Sequence, residues 1–334
     1  MVTIRDVAKL AGVSMTTVSR AFNEKAVIKA ETRQQILRIA KEIGYVPNYN
    51  ARGLVTNRKF VIGIFFSSLK DGTSQSFLST IISAAYEMLP DNYLLSVNDI
   101  RRITDAEGLV RNRMDGVLVV SQSERDNEFI YKIKALALPM VVINRPLNNP
   151  EIWNISGNGQ VGVKQAMDYA ASLGHRRVGM IEGMPGFASA VNRRQGFDEG
   201  VAANGLTVVP EAVQVGDYSS ASGQVAMAKI LALPRAQWPT LVFCANDDTA
   251  IGALHACFAA GVSVPQDISV IGFDDSYYAQ MSVPALTTIK KPIVEMTKQG
   301  LADLLQLVEG EIPAGPIQSK IEPRLMIRDS VRTI

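Results

Sequence analysis

Asp6-Val7-Ala8-Lys9-Leu10-Ala11-Gly12-Val13-Ser14-Met15-Thr16-Thr17-Val18-Ser19-Arg20 is the stretch on which the reading of this chain turns. Thr3 can cap a helix that starts at Ile4, with Asp6 as the return partner of a capping box. Ile4, Val7, Ala8 and Ala11 recur at helical spacing and predict one buried face. Gly12 supplies the stop, because it tolerates the left-handed backbone that ends a helix. Ser14 is a natural N-cap for a second helix reaching about Asn23, with Val18, Ala21 and Phe22 turned inward. Met15, Thr16, Thr17, Ser19, Arg20 and Asn23 are left for the outside. A third helix is expected from about Ala30 to Ile43, with Ile36, Ile39, Ala40 and Ile43 on its inner stripe. Three such helices make a helix-turn-helix unit, whose second helix lies in the DNA major groove.

Any pair of short amphipathic helices could show this pattern, and charge argues against that plainer reading. Residues 1–60 hold 11 Lys and Arg against 4 Asp and Glu, a balance of +7. The whole chain is +2, so residues 61–334 carry −5. Segregation of this size is expected where a small domain meets phosphates.

Pro47 disfavours a helical residue before it and can open another helix, Asn48-Tyr49-Asn50-Ala51-Arg52-Gly53-Leu54-Val55. A helix this short is marginal in water, and Gly53 weakens it further. Leu54, apolar at the end of a basic segment, suits a wedge driven between base pairs from the minor groove. An ordinary linker with one stray leucine fits the spacing equally well.

Thr3 to Leu54 resembles the headpiece of the LacI-GalR family of bacterial transcriptional regulators, through D-V-A-x-x-A-G-V-S-x-x-T-V-S-R and G-Y-x-P-N-x-x-A-R-x-L. The resemblance implies that Met15, Thr16 and Arg20 face base edges. It implies that Thr3, Ser14, Thr17, Ser19, Asn23 and Tyr45 hold phosphates or the helix. Leu54 becomes the minor-groove wedge, with Asn48, Ala51 and Arg52 beside it in the DNA-binding set. Lys29 departs from the family, which usually has a Ser cap there.

A chain of 334 residues with 47% hydrophobic residues can bury more than one core. Arg5, Asp6 and Lys9 interrupt the first apolar stretch, so no signal peptide is expected. No run of 18 apolar residues occurs, so no membrane span is expected either. Cys244 and Cys257 lack metal-type spacing and read as reduced thiols of a cytoplasmic protein. His175 and His255, the only histidines, sit in no Ser/His/Asp or metal pattern. No metal or cofactor is expected, and an enzyme is disfavoured. A sugar-binding transport protein would need an export signal and has no use for the headpiece.

Beyond Phe60, strand candidates Val61–Phe66, Leu94–Val97, Gly116–Val120, Met140–Ile143, Arg177–Ile181, Leu241–Cys244 and Ile268–Phe273 alternate with amphipathic segments. Phe77–Leu89, Gly162–Leu173, Arg194–Asn204, Ser222–Leu231 and Thr249–Ala260 are such segments. This alternation means parallel sheets covered on both faces. Leu173-Gly174-His175-Arg176-Arg177-Val178, Cys244-Ala245-Asn246-Asp247, Val270-Ile271-Gly272-Phe273-Asp274-Asp275 and Pro284-Ala285-Leu286-Thr287-Thr288-Ile289 are similar to the same family's markers. They imply an α/β periplasmic-binding-protein-like core of two parallel-sheet lobes joined by three crossing strands. The expected division is 1–46 for the all-α helix-turn-helix domain, 47–59 for the hinge helix and linker, and 60–334 for the core. Within the core, lobe 1 takes about 60–156 and 288–317, and lobe 2 about 157–287 and 318–334.

In open α/β sheets ligands bind beyond the carboxyl ends of strands, which nominates Ser67, Asn144, Asn246 and Asp274. Each alone could be a turn or cap residue. The resemblance adds Arg194 as the effector-holding arginine, and Phe77 and Tyr218 as aromatics packing on the ligand. Phe187 and Trp153 are weaker candidates that could be core. Several positions depart from the family: Asn144 stands where an Asp is common, Ala190 for a polar residue, Gly157-Asn158 for Asp-Asn, and Lys290-Lys291 for neutral residues. Fewer carboxylates and Lys291 favour an anionic or phosphorylated effector; a solvated hinge role for Lys291 is the plainer alternative.

The resemblance thus implies a homodimeric repressor of carbohydrate-utilisation genes. It would bind a double-stranded, pseudo-palindromic operator until a sugar or sugar-derived effector enters the cleft. A corepressed, purine-type or activating regulator is the variant within the family. The terminal run Arg328-Asp329-Ser330-Val331-Arg332-Thr333-Ile334 has no heptad pattern, so a dimer is expected over a tetramer.

Overall fold

The computed structural model describes residues 2–22, 27–45 and 58–334, which divide into two units, 1–60 and 61–334. The first unit contains α1 (Ile4–Ala11), α2 (Met15–Ala21) and α3 (Ala30–Glu42). The Asp6 carboxylate accepts the Thr3 amide and the Thr3 hydroxyl, each at 2.8 Å, as part of the capping box. These bonds hold the Asp6 carboxyl below its ordinary pKa. Gly12 ends α1 at φ 66°, a left-handed conformation that costs a side-chain-bearing residue more. The Ser14 hydroxyl accepts the Thr17 amide at 3.1 Å and so opens α2. At α3 the Lys29 side chain makes no cap. Val7, Val18 and Ile36 are fully buried among Ala8, Ala11, Ala21 and Ala40. Burying each of the three larger side chains contributes about 1.5–3 kcal/mol. Asn23, Asn48, Ala51, Arg52, Leu54 and the expected helix over 48–55 lie outside the described residues.

The second unit opens with β1 (Val61–Phe66), α4 (Gln75–Met88), β2 (Leu94–Asp99), α5 (Ala106–Arg113) and β3 (Gly116–Val120). Then come α6 (Asn127–Ala135), β4 (Met140–Asn144), β5 (Trp153–Gly157), α7 (Gly159–Ser172), β6 (Arg177–Glu182), α8 (Ala188–Ala203) and β7 (Thr207–Val215). The chain continues through α9 (Ser220–Leu231), β8 (Leu241–Cys244), α10 (Asp247–Ala259), β9 (Ser269–Asp274), α11 (Tyr277–Met281) and β10 (Thr287–Lys290). Last are α12 (Ile293–Glu309), β11 (Gln318–Ile321) and β12 (Arg324–Met326).

These strands form two six-stranded sheets. The first runs β11-β5-β4-β3-β1-β2 with every pairing parallel. The second runs β12-β10-β9-β8-β6-β7 and is parallel except where β10 meets β12. All five residues of β3 and all four of β8 are buried, as central parallel strands require.

Pairing moves two of the expected lobe boundaries. Thr287–Lys290 lies beside Ile271–Asp274, so the strand expected to begin the return to lobe 1 at 288 belongs to the second sheet. Gln318–Ile321 lies beside Asn154–Gly157, so the return to lobe 2 comes after 321 and not at 318. The crossings are therefore Gly157-Asn158-Gly159, Lys291-Pro292 and Glu322-Pro323, and the Asn158 amide ties the first to the third through the Glu322 carboxylate at 3.1 Å. Gly196 lets α8 rest directly on α7: an added Cβ would stand 2.2 Å from the Gln160 carbonyl oxygen.

Candidate functional site

On α2, Val18 and Ala21 are buried, whereas Met15, Thr16, Ser19 and Arg20 are exposed. Met15 keeps 46% of its surface in solvent, a large apolar exposure on a short helix. Thr17 is half-buried, and its hydroxyl pairs with the Ser14 hydroxyl at 2.9 Å. Ser14, Thr17 and Thr3 thus hold the helices, as well as being near enough to the surface to meet a phosphate. Tyr45 packs its ring 5.7 Å from that of Phe22, and burial raises its pKa.

In the second unit a cleft opens between the two sheets at their carboxyl ends. Its inner space has the three crossings as its floor: Gly157-Asn158-Gly159, Lys291-Pro292 and Pro323. Gln122, Asn144, Ser189, Asn192, Arg193 and Phe273 make its walls. An outer space shares Gln122, Asn144, Ser189, Arg193 and Lys291 with it. Phe77, Tyr218, Asn246 and Asp274 line that outer part. The lobes touch around it: Ser76 donates to the Asp248 carboxylate at 2.7 Å, and the Ala188 amide to the Gln122 carbonyl at 3.0 Å. Backbone strain concentrates at the rim, with Asn144, Tyr218 and Asp274 at φ 83°, 72° and 120°. Non-glycine residues held there cost on the order of 1–3 kcal/mol each, and such strain clusters at ligand sites.

Six of the eight residues expected at the effector site line this cleft: Phe77, Asn144, Tyr218, Asn246, Asp274 and Lys291. Two do not. Ser67 is buried inside the first lobe, donating to the Asp126 carboxylate at 2.6 Å and accepting the Gln122 amide at 2.8 Å. Arg194 points away from the cleft, held by Glu182 at 2.7 Å and by both Asp198 oxygens at 2.9 Å. Asn246 reaches the cleft wall but is also the N-cap of α10, accepting the Thr249 amide and donating to the Tyr218 carbonyl, both at 3.0 Å. Among the weaker candidates, Phe187 is buried with Tyr218 and Ala245, and Trp153 is half-buried at the start of β5.

Arg193 occupies the place expected of Arg194. Its side chain is only 5% exposed, with the guanidinium 3.8 Å over the Phe273 ring. It donates to the Ala245 carbonyl and lies 3.4 Å from the Asp274 carboxylate. A helical wheel could have found it. Arg193 is three and four residues before the buried Gly196 and Phe197, so it shares their face, whereas Arg194 shares the face of Asp198.

Lys291 donates to the Asn144 amide oxygen at 2.6 Å and stands 4.5 Å over the Phe77 ring. Burial pushes its pKa down to about 7, against the opposing pull of Asp274. Asp274 moves the other way: burial raises its pKa, while Arg193 and Lys291 lower it. Beneath them Asp247 is fully buried, accepting the Thr288 hydroxyl at 2.5 Å and the Ser276 amide at 2.7 Å. Burial and the nearby Asp274 raise its pKa well above the ordinary carboxylate value. Asp247 thereby ties α10 to β10, the strand that delivers Lys291 to the cleft.

The histidine and thiol groups sit elsewhere. His175 is buried, with its ring nitrogens 2.9 Å from the Thr240 hydroxyl and 3.1 Å from the Arg332 carbonyl, and burial lowers its pKa. Cys244 and Cys257 are buried free thiols, and burial pushes that of Cys257 up to about 12. No cluster of His, Cys, Asp and Glu among the described residues could hold a metal ion. No described helix is long and apolar enough to cross a membrane.

Residues 3–48 match the bacterial regulatory proteins of the lacI family, and residues 167–331 match the periplasmic binding protein-like domain. The chain is 41% identical over 335 residues to the probable HTH-type transcriptional repressor ExuR of Bacillus subtilis (strain 168), covering 100% of this chain and 99% of that one. It is 32% identical over 336 residues to the HTH-type transcriptional repressor PurR of Histophilus somni (strain 129Pt), covering both chains fully. The lac repressor dimer bound to operator and the anti-inducer ONPF superposes with a TM-score of 0.79 at 28% identity, over 99% of each chain. The transcriptional regulator CelR in complex with cellobiose does so with a TM-score of 0.70 at 28% identity, over 99% of this chain and 100% of that one. With a reading helix at one end and a two-lobed cleft in its core, the chain belongs to the lacI family of bacterial regulatory proteins and is a DNA-binding transcriptional regulator.

Proposed function

We propose that the chain is a homodimeric repressor of carbohydrate-utilisation genes, released from a pseudo-palindromic operator when a small sugar or sugar derivative binds between its lobes. The observation that carries this reading is the cleft itself. Both lobes and all three crossings line it, so a ligand there contacts every segment about which the lobes can move. The solved relatives bound to operator as a dimer and to cellobiose support the same assignment of partners. A two-fold dimer asks for a two-fold site, and operator DNA as partner supports a cytoplasmic location.

In this reading Met15, Thr16 and Arg20 read base edges, and Leu54 opens a base step at the operator centre. Effector binding shifts the paired first lobes and separates the two hinge segments, whose marginal helices then melt. The coupling is tested in two steps. A melting-temperature screen against sugars finds the ligand, since saturation at 100 times Kd stabilises by about 2.7 kcal/mol. The same ligand is then added to an operator-binding assay, where weaker binding marks induction and tighter binding corepression; no change refutes effector control. Leu54→Ala should weaken operator binding by a few kcal/mol, the scale of base-step unstacking, with effector affinity unchanged. Unchanged operator affinity would remove the wedge.

A further inference from the structure

We infer that the inner half of the cleft is a subsite for a carboxylate or phosphate group of the effector, with Arg193 and Lys291 as its charged walls. The inference rests on the cleft being the effector site and names the ligand's chemistry. The inner space is lined by Arg145, Arg193 and Lys291 and by no Asp or Glu. Arg145 is turned to the Ser121 hydroxyl and the Asn127 amide oxygen, with Asp126 close by. The other two cations face the space with a single carboxylate between them, Asp274 in the outer half, which Arg193 already holds.

Lys291 is the informative one. Its hydrogen-bond partner is the neutral Asn144 amide and its nearest face is the Phe77 ring. A half-buried cation favours an opposite charge beside it, and the same burial pushes the Lys291 pKa down to about 7 against the pull of Asp274. Two helices add to the field. α7 and α8 both start at the inner space, with no side-chain cap and no acidic residue in the first turn. Their positive ends favour an anion beside the two side chains.

The polarity of the cleft also orients the ligand. The acidic group goes inward between Arg193 and Lys291. The sugar hydroxyls face Asp274 in the outer half, and the apolar ring face meets Phe77 and Tyr218. Arg193, whose two terminal nitrogens already donate to the Ala245 carbonyl and to Asp274, adds a fixed positive charge to the wall, and Lys291 a point charge on a flexible stem.

Titration calorimetry on the full chain at pH 8 tests this with two triplets: glucose, glucuronate and glucose 6-phosphate, and the three galactose counterparts. At least one acidic member should bind tenfold or more tighter than its neutral partner, and the arm that responds identifies carboxylate or phosphate. Lys291→Met should lose at least tenfold for that ligand and little for the neutral sugar, whereas Lys291→Arg should keep most of the preference. The ligand-free melting temperature of each variant separates misfolding from lost recognition.

A proton readout isolates the charge. Arg193 and Asp274 are the charged groups facing Lys291, while the α4 and β4 sides offer the uncharged Phe77 and Asn144. A bound anion raises the Lys291 pKa, so wild-type protein should take up a proton on binding at pH 8, seen in buffers of different ionisation heat. Affinity for the acidic ligand should therefore fall as pH rises from 7 to 9, by up to about tenfold per unit, and Lys291→Met should abolish that slope. A neutral sugar that binds as tightly as its acidic partners in both triplets overturns the subsite and leaves the effector reading standing. Binding by no member overturns the sugar reading and this inference with it. Wild-type affinity for the acidic ligand in Lys291→Met removes the lysine from the subsite.

Discussion

The helix α2 and the cleft helix α8 each carry an arginine to which the proposed function gives a ligand, and they present it oppositely. Arg20 lies on the exposed face of α2, opposite the buried Val18 and Ala21, where it awaits a partner outside the molecule. Arg193 lies on the buried face of α8, in line with Gly196 and Phe197, because its partner must enter the molecule. A polar residue on an outward face is legible from spacing alone. An arginine on an inward face looks like an error of pattern until the second lobe is there to make a cleft. Arg194, the outward one, is the residue that the family resemblance nominates, and its charge is spent on Glu182 and Asp198.

The sharpest way to break this contrast is Arg193→Ala. It leaves Asp274 with only Lys291 to face it, so stability should fall by about 3 kcal/mol in chemical denaturation, the low end for losing one partner of a buried ion pair. The ligand-induced rise in melting temperature should vanish too. Retained ligand response would return the effector role to Arg194. Arg20→Ala should come next, weakening specific operator binding by about 1–3 kcal/mol with little change in stability or effector affinity. An equal loss on non-specific DNA would make Arg20 a phosphate contact instead of a base contact. Arg194→Ala should be the mildest, below about 1 kcal/mol in stability because its ion pairs are partly solvated, with effector binding unchanged.

Much of the fold was legible where one segment's neighbours in sequence are also its neighbours in space. Gly12, Ser14 and the Thr3–Asp6 box set their helix ends through bonds spanning three or four residues, and all were read correctly. The central strands Val61–Phe66, Gly116–Val120 and Leu241–Cys244 announced themselves as continuous apolar runs, because both faces are covered. Thr207–Val215 went unnoticed, since Pro210 and Glu211 break its pattern; it is the edge strand β7, where a missing amide donor is tolerated. Trp153–Gly157 has polar residues at Asn154 and Ser156, and both are buried. Asn154 is satisfied there by carbonyls of Val142 and Arg145, partners that no local pattern reveals.

The cleft divides the same way. Asn144, Asn246 and Asp274 stand at or just after the ends of strands legible in the sequence, and such positions can be counted along the chain; Tyr218 comes from the family resemblance. Ser67 follows a strand as well, but the Asp126 carboxylate, 59 residues away, claims its hydroxyl. For Lys291 a solvated hinge role is the plainer reading of the sequence. Only the return of the chain through all three crossings puts its ammonium between Asn144 and Phe77.

The sequence by itself determined the headpiece, the alternation of strand and helix, and the family, because these rest on spacing, capping and composition within short windows. The tertiary structure decided which arginine enters the cleft, which hydroxyl is already spent and where the chain changes lobes. Those outcomes depend on burial and on charges far apart in sequence, and burial exists only once the two sheets have closed on each other.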